Sequence, residues 1–336
     1  METKSLGRSG LKVTRLCLGT MTFANQADKK TSYDIMDKAF EGGVHFFDTA
    51  DVYPLGATYE QLGETEMFIG DWMQERGKRH ELVLASKCFG AMGPGPNDGG
   101  LSRKHIMQAV EDSLRRLKTD YLDLYQAHQF DVHTPMEETL RAFDDLVASG
   151  KVRYIGVSNW RAWRVAQALG LAERKGYVRI ASVQPRYNLL FRMIEEELVP
   201  LCLDEGVGLM TYNPLAGGML TGRYRPGADV EKGTRFALQG ISKAGEMYQE
   251  RYWQDATFQV IEEYRNWCQE RGLDMATTAV RWVIQQPGIT SAIIGASRPE
   301  QLDASLKAVQ ADPLSEQELQ WLNHLWFALP RRKEER

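Results

Sequence analysis

Short apolar runs alternate with amphipathic stretches of helical length along most of the chain. Eight of these runs are predicted strands, at 16–19, 44–47, 82–86, 121–127, 152–157, 180–184, 207–212 and 291–294. Helices are predicted at 29–42, 59–76, 102–118, 135–149, 161–175, 193–205, 254–271, 275–286, 298–310 and 315–327. Strands that alternate with helices pair in parallel through right-handed crossovers. The pattern therefore predicts a (β/α)8 barrel, in which polar residues at the carboxyl ends of strands are typical of catalysis.

Three segments lie outside this alternation. Gly7-Arg8-Ser9-Gly10 separates two short stretches, which predicts a β-hairpin over 2–16 that closes the bottom of the barrel. The stretch 213–250 has no clear period, and we expect it to be a loop that covers a ligand at the mouth. The charged tail 331–336 is expected to be frayed.

The length of 336 residues suits either one large barrel or two ordinary domains. No linker interrupts the alternation, so we expect one domain over 1–336 with additional helices at its C-terminal side. A doubly wound sheet is the alternative fold. Its dinucleotide fingerprint, Gly-x-Gly-x-x-Gly, is missing from the first strand-to-helix junction at 19–23.

Composition narrows the class of partner. The chain is 43% hydrophobic and 26% charged, with a formal net charge of -4, so it has no basic footprint for nucleic acid and small molecules are the expected partners. No apolar run approaches the roughly 18 residues of a membrane-spanning helix, and a cytoplasmic location is expected. The four cysteines are far apart, which predicts neither a metal site nor a disulfide framework. Cys88, beside Lys87, is open to either a depressed pKa or a packing role.

Four polar residues stand at or just beyond the ends of separate strands: Asp48, Tyr53, Lys87 and His128. Each one alone is typical of a turn, a surface or a structural position, whereas four at one mouth would form a proton donor with groups that tune its pKa. Asp51, between two of them, is expected to be a turn or cap residue. A metal-dependent hydrolase is the rival enzyme, but none of the six histidines forms a His-x-His or His-x-x-x-His pair.

These segments resemble the aldo-keto reductases, from LCLGTMTF at 16–23 to GASRPEQL at 295–302. The family consists of (β/α)8 barrels that reduce carbonyl groups with a nicotinamide cofactor and a tetrad of Asp, Tyr, Lys and His. The resemblance places Asp48 and Tyr53 in FFDTADVY, Lys87 in LVLASK and His128 in DLYQAH. The extended loop 54–62 is similar to that of bacterial members related to potassium-channel β subunits.

The resemblance also implies a cofactor site. Ser158, Asn159 and Gln184 would bind the nicotinamide carboxamide, and Tyr212 would stack on its ring. The remaining implied cofactor residues are Gly19, Thr20 and Met21 at the first junction, Leu215, Gly217, Leu220 and Arg223 near the pyrophosphate, and Gly295, Ser297, Arg298 and Gln301 at the other end. Arg298 suits a 2′-phosphate, so NADPH is expected in preference to NADH. Ser305 occupies a position that is commonly Asn in the family.

The expected function is NADPH-dependent reduction of an aldehyde or ketone by hydride transfer, with Tyr53 as general acid. Lys87 would lower the pKa of Tyr53, Asp48 would keep Lys87 charged, and His128 would orient the carbonyl. The alternative is an NADPH-binding regulatory or redox-sensing module that turns over slowly and docks a partner protein; a homo-oligomer is also open. Aromatic residues expected near an apolar substrate pocket are Phe23, Phe89, Trp160, Tyr224 and Trp253.

Overall fold

Eight parallel strands form a closed barrel in the computed structural model of the chain, which describes residues 1–228, 230, 234–238 and 243–330. The barrel strands are β3 (Leu16–Gly19), β4 (Phe46–Asp48), β5 (Val83–Cys88), β6 (Leu122–Ala127), β7 (Val152–Ser158), β8 (Ile180–Gln184), β9 (Gly208–Tyr212) and β10 (Ile289–Ile294). Each strand pairs in parallel with its neighbour along the chain, and β10 pairs with both β9 and β3. The predicted (β/α)8 barrel is confirmed.

An antiparallel hairpin of β1 (Thr3–Ser5) and β2 (Lys12–Thr14) precedes the barrel. Leu6 and Val13 are buried against apolar side chains that point into the barrel. Gly7 has φ +59°, and a Cβ there would collide with a carbonyl oxygen just before β9, so this turn requires glycine. The hairpin therefore closes the amino-terminal end of the barrel, as predicted.

Helices surround the barrel, and the main apolar core lies between the two layers. They are α1 (Lys29–Glu41), α2 (Glu64–Arg76), α3 (Arg103–Leu117), α4 (Met136–Ala148), α5 (Ala162–Lys175), α6 (Leu198–Glu205), α7 (Lys243–Tyr252), α8 (Asp255–Glu270), α9 (Met275–Gln285), α10 (Asp303–Gln310) and α11 (Glu316–Phe327). Side-chain oxygens of Asp28, Ser102, Asp274 and Ser315 cap four of these helices at their amino ends. No helix among the described residues is both long and apolar enough to cross a membrane.

Three helices that were predicted as continuous are interrupted. Each begins with a separate 3-10 turn, at Tyr59–Gln61, Met193–Glu195 and Pro299–Leu302, before its α-helix starts. In the first case Gly63 adopts φ +87°, a left-handed conformation that breaks the helix and that glycine adopts without strain.

The stretch 213–250 is not irregular throughout. A 3-10 helix covers Ala216–Thr221, and α7 begins within the predicted loop at Lys243. Tyr248 and Tyr252 of α7 are buried and anchor it to the rest of the core. Residues 229, 231–233 and 239–242 of the stretch lie outside the described part of the chain, as does the tail at 331–336.

Candidate active site

Lys87 and Asp48 form a buried ion pair at the carboxyl end of the barrel. Asp48 ends β4 and pairs with Ala85 of the adjacent strand β5, so Lys87, two residues further along β5, points inward on the same side of the sheet. The Nζ of Lys87 donates to Oδ1 of Asp48 at 2.6 Å and to the carbonyl oxygen of Thr49 at 2.8 Å. Lys87 is 0% exposed and Asp48 is 2% exposed. A charged pair so deeply buried needs this full set of partners.

Tyr53 and His128 lie above this ion pair. The Tyr53 hydroxyl is 3.5 Å from the Nζ of Lys87, and the ammonium group is 5.0 Å from the centre of the phenol ring. The rings of Tyr53 and His128 meet edge to face, with their centres 5.7 Å apart. The structure thus brings the four predicted tetrad residues together at one mouth.

The surroundings set the charge of each group. Burial alone would lower the pKa of Lys87, but the electrostatic interactions and hydrogen bonds with Asp48 and Tyr53 together outweigh burial, and the pKa lies above its ordinary value. Burial raises the pKa of the Tyr53 phenol, and the Lys87 charge offsets only part of that rise. Burial and Lys87 together hold the pKa of His128 well below its ordinary value. At neutral pH the site therefore holds a cation, a protonated phenol and an uncharged imidazole.

The direction of the Tyr53 shift is opposite to the sequence-based expectation, which had Lys87 lower this pKa. Burial destabilises the phenolate form of Tyr53 more than the Lys87 cation, 3.5 Å away, stabilises it, so the pKa of Tyr53 rises. The phenol consequently keeps its proton until an acceptor takes it.

Two glutamines complete the floor of the site. Gln184, at the end of β8, donates through Nε2 to both oxygens of Asp48 at 3.2 Å. Gln126, in β6, donates to Oδ2 of Asp48 at 3.3 Å and accepts from Gln184 at 3.1 Å. Sequence analysis missed Gln126. Its inward position two residues before His128, on a strand with period-2 alternation, was the available signal.

A second group of predicted residues lies at the ends of β7 and β9. Ser158 donates to the carbonyl oxygen of Gln184 at 2.9 Å, and Asn159 donates through Nδ2 to the carbonyl oxygen of His128 at 3.1 Å. The hydroxyl of Tyr212 donates to Oδ1 of Asn159 at 2.9 Å. These bonds connect the ends of four strands, β6, β7, β8 and β9, into one polar rim.

Hydrogen bonds within the glycine-containing loop after β9 determine its conformation. Gly217 and Gly218 have φ of +70° and +101°, but their N–H groups donate within the loop, to Asn213 Oδ1 at 2.7 Å and Leu215 O at 2.8 Å. Absence of a Cβ instead allows close approach of Tyr248, whose ring would lie 2.9 Å from a Cβ on Gly217. The loop is therefore shaped by its own hydrogen bonds and by aromatic packing.

A large cavity of about 2130 Å³ joins the tetrad to these segments. Of the predicted cofactor residues, those that line it are Gly19, Thr20, Met21, Ser158, Asn159, Gln184, Tyr212, Leu215, Gly217, Arg223, Gly295, Ser297, Arg298 and Gln301. Leu220 is 0% exposed and belongs to the core, so the structure does not place it on the cavity wall. Cavities for one small ligand are typically about 300–1,000 Å³. This cavity has room for a dinucleotide together with a substrate.

The far end of the cavity differs in detail from the prediction. Gln301 accepts from the N–H of Ser297 at 2.8 Å, which folds this segment back on itself. Ser305 is 2% exposed and does not line the cavity. Arg235, which sequence analysis missed, places its Nη2 3.4 Å from where a Cβ on Gly295 would lie. With Arg298 also on the wall, this end presents guanidinium groups to any anion that enters it.

The family model described as "Aldo/keto reductase family" matches residues 15–326. The chain belongs to the aldo/keto reductase family. It is 39% identical to "Uncharacterized oxidoreductase YrpG" of Bacillus subtilis, over 97% of this chain and 96% of that protein. It is 38% identical to "Probable voltage-gated potassium channel subunit beta" of Arabidopsis thaliana, over 94% and 93%. It is 31% identical to "Versiconal hemiacetal acetate reductase" of Aspergillus parasiticus, over 96% of both chains.

These relatives confirm the predicted resemblance to the aldo/keto reductases and, within them, to bacterial proteins and potassium-channel β subunits. Membership of the family together with oxidoreductase relatives indicates an oxidoreductase that acts on carbonyl groups. For such an enzyme a metal is not part of the expected machinery. The described residues contain no group of three or more His, Cys, Asp or Glu side chains arranged to hold a metal ion.

Two further residues near the mouth of this aldo/keto reductase are buried in the layer outside the barrel. Asp51 is 0% exposed and lies in the turn that follows β4, as expected, but no hydrogen-bond partner for its carboxyl oxygens lies among the described residues, so it does not cap a helix. Burial, and then the charge of Glu66, hold the pKa of Asp51 well above its ordinary value. Burial also raises the pKa of Cys88, which settles the open question for that thiol in favour of packing.

Proposed function

We propose that this aldo/keto reductase reduces an aldehyde or ketone to the alcohol, with NADPH as hydride donor and Tyr53 as general acid. One observation carries the proposal. The Nζ of Lys87 lies 2.6 Å from the carboxylate of Asp48 and 3.5 Å from the hydroxyl of Tyr53, at the foot of a cavity that Tyr53 and His128 line. An isolated phenol is a weak acid. In this arrangement the Lys87 cation can stabilise the phenolate that forms when Tyr53 gives up its proton.

The residues would share the proton transfer as follows. NADPH, when bound, supplies the hydride for the carbonyl carbon. Tyr53 donates its proton to the carbonyl oxygen, and Lys87 stabilises the phenolate that results. Asp48 holds Lys87 in place and charged. His128, uncharged at neutral pH, has an N–H group that can donate to the carbonyl oxygen and orient it.

The proposed cofactor site has two ends. Ser158, Asn159 and Gln184 offer donors and acceptors for a carboxamide next to the tetrad, and Tyr212 offers a ring face there. At the other end, the guanidinium groups near Gly295 support binding of an anionic 2′-phosphate, so we propose a preference for NADPH over NADH.

The proposed substrate pocket is apolar. Phe89, Trp160 and Tyr224 line the cavity, whereas Phe23 and Trp253 do not. Further apolar lining residues, which sequence analysis missed, are Val52, Phe130, Trp163 and Phe191. This wall supports aromatic or medium aliphatic aldehydes as the best substrates.

The test of the proposed function is Tyr53→Phe, assayed by nicotinamide absorbance with a panel of aldehydes and ketones. Loss of a general acid is expected to lower kcat by about 10²-fold or more. NADPH affinity should stay close to that of the wild type, because the phenol hydroxyl is not among the proposed cofactor contacts. Wild-type turnover in Tyr53→Phe would refute the role of the tetrad. Activity confined to charged sugars would count against the apolar pocket.

The second candidate is an NADPH-binding regulatory module that turns over slowly and docks a partner protein. Relatives named as probable potassium-channel β subunits support it. A single-turnover measurement separates the two functions. Slow hydride transfer with every carbonyl tested, alongside tight NADPH binding, would favour the module, and fast transfer with any of them favours the enzyme.

A further inference from the structure

Gln126 closes a ring of hydrogen bonds at the base of the site. Its Nε2 lies 3.3 Å from Oδ2 of Asp48, and its Oε1 lies 3.1 Å from Nε2 of Gln184, which in turn reaches both oxygens of Asp48 at 3.2 Å. All three side chains are buried, and Gln126 is 0% exposed. Gln126 does not line the cavity, so it makes these hydrogen bonds away from solvent.

Donors and acceptors give the ring a direction. A carboxylate only accepts, so the Nε2 group of Gln126 must face Asp48. Its Oε1 then faces Gln184, whose Nε2 supplies the proton. Turning the amide of Gln126 over would set its NH₂ against the NH₂ of Gln184 and its oxygen against a carboxylate. The network therefore allows one orientation, in which Gln184 keeps its amide nitrogen inward and its oxygen available for a ligand.

A glycine on the neighbouring strand leaves space for the Gln126 side chain. Gly156, on the neighbouring strand β7, would place a Cβ 3.1 Å from Cγ of Gln126 and 2.6 Å from Oγ of Ser182. Its φ is not in the left-handed region, so backbone conformation does not require glycine there. A larger residue at this position would crowd both Ser182 and Gln126, so glycine leaves room for these two side chains.

We propose that Gln126 is a positioning residue that connects Gln184, the residue proposed to bind the nicotinamide carboxamide, to the Asp48–Lys87 ion pair. The inference rests on the proposed function. Loss of Gln126 leaves Gln184 without one acceptor and Asp48 without one donor, so cofactor binding and proton transfer deteriorate together. A residue that served packing alone would affect neither property of the folded protein.

The experiment is a double-mutant cycle with Gln126→Met and Gln184→Met, in which methionine conserves length without polar atoms. NADPH affinity is measured by fluorescence titration, and kcat and KM are measured with a good aldehyde. Gln126→Met is expected to weaken NADPH binding by about fivefold, the usual effect of one buried hydrogen bond, and to lower kcat by about tenfold, with KM for the aldehyde unchanged. The double variant should bind NADPH about as well as Gln184→Met alone.

Ser182→Ala is the matched control, since its hydroxyl is buried two residues before Gln184 and has no hydrogen-bond partner among the described residues. It should retain wild-type affinity and kcat. Gly156→Ala, made in the Ser182→Ala background so that the new Cβ does not meet the Ser182 hydroxyl, crowds Gln126 without removing it. It should reproduce the loss in milder form and serves if Gln126→Met does not fold. Wild-type NADPH affinity in the folded Gln126→Met and Gly156→Ala variants, or additive effects in the cycle, would overturn the proposal. NADPH binding is measured by titration without any turnover. A negative result for Gln126 can therefore be distinguished from a negative result for Tyr53→Phe.

Discussion

Replacing Lys87 with methionine tests how far the buried ion pair depends on both of its charges. Lys87 is 0% exposed and its Nζ is 2.6 Å from Asp48. Without the cation, the carboxylate stays inside the barrel with only the amide groups of Gln126 and Gln184 as partners. Breaking a buried pair in this way lowers the free energy of unfolding by about 3–5 kcal/mol. Because Gln126 and Gln184 still donate to the carboxylate, we expect a loss at the lower end, near 3 kcal/mol.

Asp48→Asn in the Lys87→Met background removes the stranded charge. The double variant is therefore expected to be about 1–2 kcal/mol more stable than Lys87→Met alone, since two neutral partners carry no desolvation penalty for a charge. Asp48→Asn alone should also be destabilised, because it strands the Lys87 cation. The side chains are of similar size, so the cavity contribution is small.

The measurement is urea unfolding of the four proteins at neutral pH, followed by circular dichroism and tryptophan fluorescence. The exposed i,i+4 pair of Lys30 and Asp34 is the control, and the same cycle there should show no measurable coupling. If the two losses at Lys87 and Asp48 simply add in the double variant, the reasoning about this ion pair is wrong.

Three further predictions follow from burial and charge. Asp51→Asn should be more stable than the wild type at about pH 8, and the difference should be much smaller at about pH 4. The pKa of Asp51 is raised in the folded state, so its contribution to stability is fully present only below the pKa of the unfolded chain. That contribution is lost as the pH rises through the pKa of the folded state. A pH-independent difference would contradict this. Arg298→Ala should weaken NADPH binding by about tenfold and leave NADH binding unchanged; equal losses in titrations with both cofactors would exclude a 2′-phosphate contact. The four free cysteines are buried, so a thiol reagent should label the protein only after denaturation, and rapid labelling of the native protein would contradict their placement.

The sequence predicted the parts of the site that have a local signature. Asp48, Lys87 and His128 stand where apolar runs stop, and strand ends in a parallel barrel meet at one mouth. The alternation of predicted strands and helices thus indicated the barrel, and it also indicated that these three side chains lie at its carboxyl end. Their separations, such as the 3.5 Å between Lys87 and Tyr53, come from the loop after β4 and were not predictable from spacing.

The parts that were missed depend on partners far away in sequence. Gln126 matters because Asp48 and Gln184 converge on it from other strands, and no motif in its own strand announces that. The upward pKa shift of Tyr53 is a balance between burial and one cation, which requires coordinates. The helix α7 lacks a clear apolar stripe in its own sequence, and its buried Tyr248 and Tyr252 acquire their role from the loop they cover.

The barrel closes only when its first and last strands, β3 and β10, pair with each other. Strand β10 pairs with β3, so Ala292 lies beside Leu16, and Arg15 donates to the carbonyl oxygens of Ile289 and Thr290 at 2.6 Å. Until β10 has been synthesised, the seven earlier strands of the barrel can form at most an open sheet, whose two edges lack a partner. Such edges invite association with other nascent chains, and contacts of high sequence separation form slowly. We therefore expect the chain to be most prone to aggregation, and most dependent on chaperones, before β10 has left the ribosome.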